Sequence, residues 1–119
     1  MTEIGELMEE YIALLIKRGH ELTSPDGTSK KANQYFNKIL NLSKKIKKIE
    51  RYAEKMKELL YYENDYVKLD AAFELLPIHT EEAENVLFEL SQKKGRITTT
   101  SARITLERWQ KGELHKDKK

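Results

Sequence analysis

The sequence predicts an all-α protein of five to six helices in antiparallel hairpins, and three observations carry that reading. Apolar residues recur every three or four positions through most of the chain, the spacing of helices with one buried face. The five glycines and two prolines fall almost entirely where such segments should stop. Period-two alternation is nearly missing. Only Ile97–Thr100 is β-branched enough to suggest a strand, and that run is so short that it reads as loop and helix start.

With 119 residues, one helical domain over residues 1–114 is expected, followed by a polar tail at 115–119. Cysteine is absent, which excludes disulfides and thiolate chemistry and suits a reducing compartment. The most apolar stretch near the start, Tyr11–Ile16, is far too short to span a bilayer. A soluble, cytoplasmic protein is the expectation.

In chain order, Thr2 is placed to cap a first helix whose stripe is Ile4, Leu7, Met8, Tyr11, Ile12 and Leu15. Lys17, Arg18 and Gly19 supply its stop, and residues 20–27 (HELTSPDG) read as a loop. Thr28 or Ser29 opens a longer pattern from Ala32 to Leu60. A single helix of that length is out of proportion to so small a domain, so a break near Lys47–Glu50 is expected. The organising stretch is Asn64–Leu76 (NDYVKLDAAFELL), with Asn64 as cap and Ala71-Ala72 letting a neighbouring helix approach closely. Pro77 ends it. Thr80 is expected to cap the next helix, which buries Ala83, Val86, Leu87 and Leu90. The last helix runs from the Thr98–Ser101 tract to Lys111, is stopped by Gly112, and uses Ala102, Leu106 and Trp109 as its core side.

Several of these residues resemble a known family. Asp65, Val67-Lys68, Ala71-Ala72 and Leu75-Leu76 are similar to the second helix of a HEAT repeat. Thr80-Glu81-Glu82-Ala83, Val86-Leu87, Ser101-Ala102 and Leu106-Glu107-Arg108-Trp109-Gln110-Lys111-Gly112-Glu113-Leu114 resemble a small bacterial HEAT-like family catalogued as a domain of unknown function. The likeness covers roughly residues 30–114. It implies a short HEAT-like α-solenoid and protein binding, as in immunity proteins encoded beside toxin genes. It brings no catalytic residues.

Charge is laid out in blocks although the net is only +2. Residues 1–27 sum to −4, 28–60 to +7, 63–92 to −7 and 93–119 to +6. Blocks of this kind shape the surface field and steer partners more than they fold the chain. The 28–60 segment, with ten basic residues, has the composition of a phosphate-binding face for nucleic acid. No aromatic interleaves its polar side, because Tyr35, Phe36 and Tyr52 fall on or beside the apolar stripe. The acidic 63–92 block suits a basic partner such as a nuclease-type toxin. Glu81, Glu82 and Glu84 there also have an ordinary role at a helix N-terminus. Asp70 and Glu74, mid-helix and four apart, do not, and with Tyr62 they are the expected partner-binding residues. Tyr61 and Tyr62 cannot both point inward, so at least one is expected on the surface as an interface anchor.

His20, His79 and His115 are isolated, without metal-ligand spacing or a Ser/Asp partner. No catalytic constellation, metal site or cofactor motif is read from the chain. The expectation is a non-enzymatic protein-binding module, an immunity protein in its most specific form. The alternative is a nucleic-acid-associated helical protein using residues 28–60.

Overall fold

A computed structural model describes residues 3–94 and 96–114. The expected Thr2 cap, His115 and the 115–119 tail lie outside those residues. The protein is all-α: six α-helices and one 3-10 turn, with no strand among the described residues. The chain forms two compact units, Met1–Met56 and Lys57–Lys119.

The first unit holds α1 (Glu3–Thr23) and α2 (Ser29–Lys47), packed along each other, and nearly all of α3 (Tyr52–Lys57). Helix α1 does not stop at Gly19. That glycine is buried within the helix, and Thr23 Oγ1 donates to its carbonyl at 2.9 Å. The next helical bond follows, from Ser24 N–H to the His20 carbonyl at 2.8 Å. The expected loop at 20–27 therefore shrinks to a turn after Thr23.

Gly27 is required there. A Cβ at this position would sit 1.8 Å from the Glu21 carbonyl oxygen, so no other residue fits without moving backbone. Thr28 N–H then donates to Glu21 Oε1 at 3.0 Å, while Thr28 Oγ1 accepts from Lys31 N–H at 3.1 Å and caps α2 as expected. Met8, Tyr11, Leu14 and Leu15 of α1 and Ala32, Ile39, Leu42 and Ile46 of α2 are buried. Near the turn the Arg18 guanidinium lies over the Phe36 ring, 5.1 Å from its centroid.

The long pattern breaks where expected, after Lys47. Lys48 N–H closes on the Lys45 carbonyl, and Arg51 adopts a left-handed backbone at φ +66°. An L-residue there carries a cost of roughly 1–2 kcal/mol, so the chain cannot continue as one helix through it.

The second unit is organised around α4 (Asp65–Leu75). No residue from Asn64 to Leu76 is exposed, because α4 packs on the 3-10 turn Glu58–Tyr61, on α5 (Thr80–Ser91) and on α6 (Ile97–Gln110). Asn64 Oδ1 caps it, accepting from Tyr66 N–H at 2.9 Å and Val67 N–H at 3.2 Å. Ala71 and Ala72 are fully buried, as their small side chains suggest. Pro77 ends the run.

Thr80 does not cap α5. Its hydroxyl donates back to the Leu76 carbonyl at 2.6 Å, and the cap position falls to His79, whose side chain makes no capping bond. Helix α6 takes in Ile97–Thr100 and ends in a Schellman turn. Gly112, at φ +76°, donates to the Trp109 carbonyl at 3.0 Å, and Glu113 N–H donates to the Arg108 carbonyl at 2.9 Å. Trp109 is half-buried rather than a core anchor, because its indole is drawn to a carboxylate on α5.

Candidate functional site

The expected partner-binding residues all lie in the second unit, but they do not form one outward face. Tyr62, just past the 3-10 turn, is 39 % exposed. Asp70 is half-buried, and Glu74 is only 8 % exposed. The expectation of an outward acidic pair at Asp70 and Glu74 is corrected by their setting. Glu74 sits among Ala71, Ala72, Leu75 and Leu76 on a helix surrounded by other elements. Helical spacing alone cannot separate an exposed charged side from a buried one when a helix is covered nearly all round.

The exposed carboxylates stand on α5 instead. Glu81, Asn85, Phe88, Glu89 and Gln92 are all exposed and recur at spacings of three and four, so they share the helix side opposite buried Ala83, Val86, Leu87 and Leu90. Phe88, 59 % exposed, projects from the middle of this face. Sequence reasoning passed over it, although the signal was there: an aromatic outside the apolar stripe of its own helix. Glu81 and Glu89 form no ion pair among the described residues.

Glu82 behaves differently. Its Oε1 pairs with Lys57 Nζ at 3.2 Å, its Oε2 accepts from the Tyr61 hydroxyl at 3.3 Å, and His79 Nδ1 approaches to 3.9 Å. The last distance is too long for a hydrogen bond. Tyr61, 69 % exposed, is thus tethered beside α5 with its ring in solvent. Beneath it lies a groove of about 340 Å³ lined by Leu60, Tyr61, Lys68, Glu82, Val86 and Glu89. An exposed aromatic over an apolar floor with carboxylates at the rim is the composition of a protein-binding surface.

Asp65 closes the other side of the unit. It accepts from Lys93 Nζ at 2.9 Å and from Arg96 Nη1 at 2.7 Å. Burial alone would push the Asp65 carboxyl up, but the hydrogen bonds and positive charges of Lys93 and Arg96 outweigh it and hold the group below its ordinary value. This cluster ties the start of α4 to the approach to α6.

In the first unit Lys30, Lys31, Lys38, Lys44, Lys45 and Lys48 are exposed along and just beyond α2. Phe36, read from sequence as part of the apolar stripe, is exposed beside them. Among the described residues no three His, Asp or Glu side chains gather closely enough to hold a metal ion, and no helix is long and apolar enough to cross a membrane. Comparisons with protein-family models, with curated proteins and with solved structures find no match, so the likeness to the HEAT-like family rests on the residues that carry it.

Proposed function

We propose that this chain is a non-enzymatic, HEAT-like protein-binding module that recognises a basic partner, and that it serves as an immunity protein covering the cleft of a nuclease-type toxin. The outward face of α5 carries the reading. Phe88 stands in solvent with uncompensated Glu81 and Glu89 on the same side of the helix, and Tyr61 is tethered next to it. Exposing a phenylalanine gains nothing for folding. Against a partner it supplies an apolar anchor, while the carboxylates steer and orient a basic surface. A nuclease cleft must be positive to hold nucleic acid, so it is the surface that such a face complements.

The test is calorimetric titration against the product of the neighbouring gene. Phe88→Ala should weaken the complex by roughly 30-fold or more, the range of an interface hot spot. Glu81→Lys with Glu89→Lys should slow association and weaken or invert its salt dependence, since salt screens the repulsion that replaces the attraction. Both changes lie on an exposed face, so circular dichroism should remain that of the parent. Unchanged affinity in these folded variants would remove the α5 face as the binding surface.

A second reading is favoured by the exposed lysine row on α2 with Phe36 and Arg18 alongside. Binding to RNA or duplex DNA that persists at about 0.15 M salt, with a steep salt slope, would promote it.

A further inference from the structure

The α1–α2 hairpin of the first unit leaves two large apolar residues in solvent. Phe36 is 41 % exposed and Leu40 is 43 % exposed, and being four apart they share a side of α2. The Arg18 guanidinium over the Phe36 ring shows which side of α1 adjoins them. Leu14, one turn before Arg18, and half-buried Leu7, two turns before that, continue the same side of α1. An apolar strip therefore runs along one face of the hairpin. We propose that a second copy of the chain docks on this face, so that two hairpins form a four-helix bundle about a two-fold axis running along the helices. The claim is independent of the α5 reading.

Charge identifies the occupant. The start of α1 is acidic, with Glu6, Glu9 and Glu10 exposed, and the end of α2 is basic, with Lys44, Lys45 and Lys48 exposed. The two helices pack along each other and are joined by the short turn after Thr23, so both charged stretches stand at the same end of the hairpin. None of these six side chains makes an ion pair among the described residues. A two-fold axis along the helices keeps every residue at its own height and exchanges α1 for α2. It sets the acidic start of one copy's α1 against the basic end of the other's α2, twice over, with like signs on the diagonals. The face is thus its own complement. Nucleic acid would match the lysines alone and be repelled by the start of α1, and a uniformly basic protein would match the glutamates alone.

The size of the face sets the strength. Helix α2 has 19 residues, a length of about 28 Å. Two packed helices are about 20 Å wide. Docking then covers roughly 550 Å² on each copy and roughly 1,100 Å² in all, which just clears the threshold of about 1,000 Å² for a specific interface. A dissociation constant on the order of 10–100 µM is expected.

The experiment is sedimentation equilibrium of the full chain. Between about 5 µM and about 500 µM, monomer should give way to dimer. Leu40→Asp places a carboxylate in the strip at a position exposed in the monomer. It should keep the circular dichroism of the parent and weaken dimerisation at least tenfold, since docking would bury an unpaired charge.

A charge exchange tests the two-fold itself. Eight residues back from Arg18 and eight forward from Phe36 lie Glu10 and Lys44, which therefore stand at matching heights. Glu10→Lys and Lys44→Glu each turn two attractive contacts into two repulsive ones, so each variant alone should dimerise at least tenfold more weakly. Mixed one to one, they restore opposite signs at both contacts, and a heterodimer near the parent's strength should form. A chain that stays monomeric throughout the range would overturn the proposal, and if its α2 amides shift on adding duplex DNA, the face belongs to nucleic acid. Assemblies that grow beyond the dimer would also overturn it. So would a dimer that the folded variants leave unchanged.

Discussion

At the scale of single residues, Asp65 shows how one side chain couples folding to pH. Its carboxyl is largely buried, and it would be raised by desolvation were it not for Lys93 and Arg96. The folded value lies below the unfolded one, so the charged group stabilises the fold at neutral pH. That stabilisation is fully present above the unfolded value and is lost as pH falls through the carboxylate range toward the folded value. Melting temperature should therefore drop between about pH 5 and about pH 3, and Asp65→Asn should flatten part of that drop while lowering stability at neutral pH by about 1–3 kcal/mol. An equally steep acid limb in Asp65→Asn would show that other carboxylates govern it. Asp65 is visible in the sequence only as a favourable acid beside the Asn64 cap. Its partners lie 28 and 31 positions away, a separation over which local pattern carries no information.

At the scale of elements, the α5–α6 pair turns on a bond that periodicity does not reveal. Trp109 Nε1 donates to Glu84 Oε2 at 2.9 Å, which draws the indole to the edge of the core. Trp109→Phe retains most of the ring contact and should cost about 1–3 kcal/mol through the lost charge-assisted bond. Glu84→Gln keeps an acceptor and should cost less than Glu84→Ala. Thermal melts of the three variants decide the matter, and equal loss from Gln and Ala would make the hydrogen bond irrelevant.

Much else about these elements was legible. The Thr28 and Asn64 caps, the break after Lys47, the Pro77 stop and the Gly112 turn all follow from local stereochemistry, which is written in a few adjacent residues. The misreadings share a cause. Gly19 remains helical because its lack of a Cβ is tolerated where the helix is buried. Thr80 gives its hydroxyl to a carbonyl one turn back. Glu74 is enclosed by neighbours that the sequence of α4 does not contain. Each outcome depends on what surrounds the element. The same holds for the α5 face: its carboxylates were legible as a charge block, but only the structure separates Glu82, already engaged, from outward Glu81 and Glu89.

At the scale of the whole molecule, the division at Met56–Lys57 is the feature least expected from sequence, since the helical pattern runs through it without a glycine or proline. The two units differ in what they hold. The second has a central helix with neighbours on the 3-10 turn, α5 and α6, and buries Leu59, Leu60, Val67, Leu75, Leu76, Leu87 and Leu90. The first is mainly one pair of helices, α1 and α2. A helical pair of that size has little interior, and chains of 55–65 residues are marginal even when they do fold alone. A helix with three neighbours can satisfy most of its apolar surface locally, whereas a two-helix pair leaves one side of each helix uncovered.

The fragment 57–119 should accordingly keep its helical circular dichroism and melt cooperatively, whereas 1–56 should show partial helicity and a broad, weak transition. In the full chain, amide exchange should be slowest in α4, at Val67, Ala71, Ala72 and Leu75, whose opening requires most of the second unit to come apart. If 57–119 proves unfolded, the second unit has no independent stability. If 57–119 folds and still binds the basic partner, the α5 face is sufficient for recognition, and the lysine row of α2 is free to serve another purpose.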